Sequence, residues 1–178
     1  IKDIAKNILS ENKELNLTNF DKNFDFLKNK SLEASMNLIK DDLKKLGISH
    51  DNFIYETDIV NKNLVDKAIT TLKEKKYVEE GYLDPPKGEN IKDWKKVKRL
   101  IFKSTLFGDD TDRALQKNDE SWTYFANDIA YHMDKLDRKY DNLINILGAD
   151  HTGYIKRIKS AVSALSDNKI LLDCKVCQ

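Results

Sequence analysis

The strongest constraint on the fold of this 178-residue chain lies between residues 143 and 177. Residues 143–147, Leu-Ile-Asn-Ile-Leu, form a compact apolar run with little alternation. That pattern predicts a strand covered on both faces. Gly148-Ala149-Asp150-His151 reads as the turn after it, residues 153–164 as a helix and residues 170–177 as a final strand. A strand, crossover helix and strand of this length is the parallel βαβ unit of a doubly wound α/β sheet. Ligands on such sheets bind beyond the carboxyl ends of the strands, and the turn at 148–151 sits at one of these ends.

The chain before this unit reads as mostly helical. Residues 1–12 carry apolar side chains at positions 1, 4, 5, 8 and 9, an amphipathic helix. Residues 15–30 mix Phe with Lys, Asn and Asp, and their state is open. Residues 32–46 predict a helix with Met36, Ile39, Leu43 and Leu46 on one face and Gly47 ending it. Residues 64–76 predict another, with Leu64, Ala68 and Leu72 on one side. Residues 77–83 predict a short strand, and Asp84-Pro85-Pro86-Lys87-Gly88 an obligate loop. Residues 99–107 and 113–117 predict a β-hairpin around Gly108-Asp109-Asp110-Thr111-Asp112, with a further turn at 118–120. Residues 124–139 predict a helix capped by Ser121 or Thr123. The expected organisation is a helical connecting region with short strands over 1–120 and the βαβ portion over 121–178. Chain ends at Ile1 and at Gln178, directly after an apolar run, carry the expectation of a piece of something longer.

Charge excludes little. Lys and Arg number 31 against 30 Asp and Glu, a formal charge of +1, so global charge argues neither for nor against a nucleic-acid partner. The Lys-rich stretches near 73–76 and 92–98 read as solvated faces. No run approaches the roughly 18 apolar residues of a membrane helix, and no signal peptide is visible. Cys174 and Cys177 form a C-x-x-C inside an apolar strand with no second pair, so a redox or zinc role is disfavoured and a reduced, cytoplasmic protein is the default. The acidic turn at 109–112 lacks calcium-loop spacing and reads as a turn, so no metal site is expected.

Three groups of residues bear on chemistry. Tyr124 and Asp128 are four apart and project from one face of a helix start. Asp128 there complements the helix dipole while Tyr124 packs, or the two form a cation pocket in which the carboxylate accepts paired N–H bonds from a guanidinium. In the second group, Gly148 lets a ligand approach a strand end, Asp150 suits ribose hydroxyls and His151 can donate to a carboxylate or phosphate. An ordinary strand-to-helix turn with Asp150 as cap fits equally. Glu56, after the short apolar stretch 53–55, reads as a residue at a strand end or as a solvated acid.

Several stretches together resemble arginyl-tRNA synthetases. They are Met36-Asn37-Leu38-Ile39-Lys40-Asp41-Asp42-Leu43, Tyr55-Glu56-Thr57, Gly108-Asp109-Asp110, and Thr123-Tyr124-Phe125-Ala126-Asn127-Asp128-Ile129-Ala130-Tyr131-His132. Gly148-Ala149-Asp150-His151-Thr152-Gly153-Tyr154 completes the series. They run in that family's order over residues 30–178. The resemblance implies a fold: part of a class I, Rossmann-type catalytic domain with a helix-rich insertion. It implies arginine binding by Tyr124, Asp128, Glu56 and His151, the last in a place often held by glutamine. It implies ribose contact at Gly148 and Asp150. ATP as substrate, Mg²⁺ with the ATP, tRNA-Arg as partner and a monomeric full enzyme also follow from it. The family's HIGH-type and KMSKS-type signatures do not occur in the chain, so the chain alone is expected to be inactive. An alternative is a non-catalytic nucleotide- or tRNA-binding module derived from such an enzyme.

Overall fold

A computed structural model describes residues 2–15, 18–83 and 97–178. The chain divides into two compact units, residues 1–53 and 54–178.

The first unit holds helices α1 (Lys2–Glu11) and α2 (Phe20–Lys45). Asn19 caps α2 by accepting from the Lys22 N–H at 3.2 Å. At the other end Gly47 takes a left-handed φ of 73°. The Ile48 N–H then reaches the Leu43 carbonyl and the Gly47 N–H the Lys44 carbonyl, the paired bonds of a Schellman stop. The ambiguous stretch and the predicted 32–46 helix are thus one 26-residue helix. Its Phe side chains fall at helical spacing, and Phe20 packs edge-on to Phe24. No side chain of α2 is fully buried.

The second unit opens with α3 (Glu56–Asn61) and α4 (Leu64–Glu74). It continues through β1 (Val78–Gly81), β2 (Arg99–Phe102), a 3-10 turn (Ser104–Phe107) and β3 (Arg113–Ala114). Then follow α5 (Tyr124–Asp137), β4 (Leu143–Gly148), a second 3-10 turn (Ala149–Tyr154), α6 (Ile155–Ser166) and β5 (Leu172–Cys177). The predicted hairpin is present with shorter strands. β2 pairs antiparallel with β3 on one side and with β1 on the other, Val78 opposite Phe102 and Ile101 opposite Ala114. The second half of the predicted first strand is instead the 3-10 turn, because the Ser104 hydroxyl donates to the Thr111 carbonyl at 2.7 Å and folds the chain back. The Pro-containing loop and most of the Lys-rich stretch at 92–98 lie outside the described residues.

The parallel unit is present: β4 pairs with β5 from Leu143 opposite Leu172 to Gly148 opposite Cys177, with α6 between them in sequence. One expectation fails. β4 is not covered on both faces: Leu143 is buried, whereas Ile144 and Ile146 are 57% and 74% exposed. Among the described residues only one face of this sheet meets helices, and strand alternation sends every second side chain to the other. The same alternation puts Cys174 and Cys177, three apart, on opposite faces, and both are free thiols.

α5 stands at the centre of the core. Its Phe125, Ala126, Ile129, Ala130 and Met133 recur at helical spacing. They meet Leu72 of α4, Phe102 of β2, Leu115 and the Ile158, Ala161 and Val162 face of α6. Those groups are almost wholly removed from water. Burying each large one stabilises the fold by about 1.5–3 kcal/mol before entropy is counted. The start of α5 is therefore rigidly held, and that is where the candidate site lies.

Candidate functional site

Thr123 fixes the first turn of α5. Its hydroxyl accepts from the Ala126 N–H at 3.3 Å and donates to the Leu115 carbonyl at 3.1 Å, so the predicted cap also fastens the helix to the strand before it. Of the two expected caps, Ser121 is not used: it donates to Asp119. From this start Tyr124 stands out to solvent, 64% exposed, while Asp128, one turn on, is half-buried.

Glu56 arrives from a different element. It is the first residue of α3, not a residue at a strand end, because residues 52–55 form no strand. The Asn127 amide donates to Glu56 Oε1 at 2.8 Å and holds this carboxylate beside the start of α5. Burial, and then the nearby Glu56 charge, push the Asp128 carboxyl above its ordinary range, against a Tyr154 hydrogen bond and His151, which pull it down. The Asp128 charge, burial and Glu56 likewise push the Tyr124 phenol up. Two carboxylates and a phenol thus feel one another at the start of α5. Such an arrangement is short of a cation: a planar guanidinium would relieve the repulsion and supply the N–H donors.

The turn after β4 forms the neighbouring wall. Gly148 has an ordinary extended backbone, so its need for glycine is one of space. A Cβ there would come within 2.5 Å of Asp150 Oδ1, since the Asp150 side chain folds back over the strand end. Asp150 is 82% exposed at its side chain and His151 48%, with 3.6 Å between His151 Nε2 and Asp150 Oδ2. His151 is close enough to act on Asp128 electrostatically. The structure therefore brings together Glu56, Tyr124, Asp128 and His151, and leaves Gly148 and Asp150 at the strand end beside them. Asp150 caps no helix in this turn.

Sequence reasoning gave no role to three supporting groups. Tyr154 donates its hydroxyl to Asp128 Oδ2 at 2.5 Å. Beneath the site, buried His132 bridges α5 and β4. Lys135 Nζ donates to Asn145 Oδ1 at 2.7 Å, which orients the amide to donate to His132 Nε2 at 2.9 Å. His132 must then carry its proton on Nδ1 and donate to the Asp128 carbonyl at 2.8 Å. Burial lowers its pKa to about 4, so the ring is neutral. Finally, Arg113 grips Asp109 through two bonds of 2.7 Å. Burial raises the Asp109 carboxyl, but the Arg113 fork and the Asp110 N–H outweigh it and leave it low. With Asp110 on Lys156 and Asp112 on Thr105, every carboxylate of the acidic turn is engaged, in accord with its reading as a turn.

No family model matches the chain. It is 58% identical over 175 residues to an arginine–tRNA ligase of Pelagibacter ubique, a match covering 98% of the chain and 30% of that relative. It is 53% identical over 146 residues to an arginine–tRNA ligase of Ehrlichia chaffeensis, covering 82% of the chain and 25% of the relative. A crystal structure assigned as an arginyl-tRNA synthetase from Campylobacter jejuni superposes with a TM-score of 0.72 at 30% identity. That superposition covers 99% of the chain and 35% of the other. The chain spans about 30% of the length of the first of these relatives. Over nearly its whole length the chain's sequence and its mixed α/β fold match one segment of these arginine–tRNA ligases.

Proposed function

We propose that this chain carries the arginine-recognition part of a class I, Rossmann-type ligase centre. In that centre arginine and ATP form arginyl-adenylate and the arginyl group passes to the 3′ ribose of tRNA-Arg. The observation that carries the reading is the convergence of Glu56, from α3, and Asp128, from α5, beside the Tyr124 phenol. The electrostatic strain of that cluster is of the sign a guanidinium relieves.

Asp128 and Glu56 accept N–H bonds from the guanidinium and Tyr124 gives it an aromatic edge and a hydroxyl. His151, on the next wall, meets the substrate from the strand-end turn. Gly148 lets the adenylate approach the backbone, and the exposed Asp150 accepts from the ribose hydroxyls. These groups position and neutralise; none forms a covalent bond to substrate. Among the described residues no group of three or more His, Cys, Asp or Glu side chains is placed to hold a metal ion. Mg²⁺ would come with the ATP phosphates. Among the described residues no helix is long and apolar enough to cross a membrane. We take the working enzyme to be monomeric and cytoplasmic.

The test is tRNA charging by the protein as encoded, supplied with each amino acid in turn. Arginine alone should be esterified. Charging of another amino acid in its place contradicts the reading. The isolated 178-residue chain, which has neither phosphate-gripping signature, should give no ATP–pyrophosphate exchange even with arginine and tRNA present. Robust exchange would place the whole catalytic apparatus within it.

A further inference from the structure

Tyr154 occupies an unusual junction. It closes the 3-10 turn that begins after Gly148 and immediately precedes α6. Its ring stands edge-on to Phe125 at 6.2 Å between centroids. The Arg157 guanidinium lies 5.1 Å from the Tyr154 ring and 5.8 Å from the Phe125 ring. Arg157 Nε is buried with no hydrogen-bond partner, so this guanidinium is kept in place in good part by its contact with the two rings. The ring is thus clamped from two sides, and its hydroxyl ends 2.5 Å from Asp128 Oδ2.

A carboxylate has two oxygens. Tyr154 engages Oδ2, and no donor among the described residues reaches Oδ1. The hydroxyl therefore fixes the rotation of the carboxylate plane. It also gives the half-buried carboxylate a hydrogen bond that offsets part of the cost of its burial. The bond further ties α5, which carries Tyr124 and Asp128, to the turn that carries Gly148, Asp150 and His151.

We propose that Tyr154 is a positioning residue for arginine: by holding Asp128 Oδ2 it aims Oδ1 at the guanidinium. This rests on the reading of Asp128 as an arginine ligand given above. Tyr154 itself acts on substrate only through Asp128.

The test is a double-mutant cycle in the protein as encoded, with Tyr154→Phe, Asp128→Asn and both together, read by tRNA arginylation. Tyr154→Phe keeps the ring and its contacts with Phe125 and Arg157. It should raise the arginine KM about tenfold, the size of one lost charge-assisted hydrogen bond. The ATP KM should stay within about twofold, and the double variant should be no worse than Asp128→Asn alone. If Asp128→Asn raises the arginine KM and Tyr154→Phe does not, the positioning role is wrong and the reading of the site stands. If Tyr154→Phe raises both substrates' KM equally, or only lowers the melting temperature with kinetics per folded enzyme unchanged, Tyr154 is merely structural. Full additivity of the two substitutions also overturns the proposal. If Asp128→Asn leaves the arginine KM unchanged, the reading of the site fails first.

Discussion

The Asn127 amide donates to Glu56 Oε1 at 2.8 Å and so joins the first turns of α5 and α3. Asn127 and Asp128 are neighbours, but their side chains do different things: one holds a carboxylate and the other is one. Asn127→Ala leaves Glu56 solvated and free to turn away. Since the hydrogen bond is exposed, loss of stability should be small, about 1 kcal/mol or less. The arginine KM should nevertheless rise several-fold, because Glu56 no longer waits in place. A melting curve and arginine titration on one preparation check both parts. A large fall in stability with an unchanged KM would make the contact structural.

His132 gives a pH-dependent stability with a definite sign. Its pKa is near 4 in the folded state, against an ordinary value of about 6.5. Between these values the unfolded chain binds the proton that the folded chain refuses. The stabilisation is therefore whole above about pH 6.5 and is lost as pH falls toward 4. The loss is at most about 3 kcal/mol from the two pKa values. Denaturant unfolding at a series of pH values should show this slope, and His132→Gln should flatten it at some cost at neutral pH. An unchanged slope in the variant would assign the acid sensitivity to other groups.

Gly148→Ala probes the strand end. The new Cβ meets Asp150 Oδ1 and must push that exposed side chain aside. Backbone strain is not involved, because φ is −67°. The expected result is a raised ATP KM, several-fold, with a melting temperature within a few degrees of the parent. An effect confined to arginine would move this turn into the amino-acid pocket.

The sequence made the βαβ unit legible because two apolar runs flank a helix-period segment and a glycine marks the first strand's end. It also made α5 and the spacing of Tyr124 and Asp128 legible, since both lie on one element. The rest depended on distant residues. That β4 is covered on one face only could not be read from its apolar run, which looks the same for a strand buried once or twice. Three apolar residues before Glu56 read equally as a strand end or as the approach to a solvated acid, whereas they form an irregular lead into α3. The role of Tyr154 is not legible in its motif: its partner is 26 residues away, and a tyrosine after a strand-end turn carries no signal of what its hydroxyl meets.

Asp128 also links function to stability. Burial raises its carboxyl pKa, so the folded state disfavours the charge that the proposed arginine contact uses. A raised folded pKa means that stability falls as pH rises through the window between the unfolded and folded values. Asp128→Asn carries no such penalty. The variant should melt at the same temperature as the parent or higher at pH 7, and its advantage should shrink as pH falls below the ordinary aspartate range. A variant clearly less stable at pH 7 would mean that the Tyr154 bond outweighs the burial of the charge.

The central claim is that Asp128, with Glu56 and Tyr124, holds the guanidinium of arginine. The most direct measurement is the arginine KM and kcat/KM of the protein as encoded, for the parent and Asp128→Asn, in tRNA arginylation at saturating ATP. A charged hydrogen bond contributes roughly 1.5–3 kcal/mol, so kcat/KM for arginine should fall by about tenfold or more while the ATP KM changes little. Unchanged arginine kinetics in a folded Asp128→Asn protein would contradict the account.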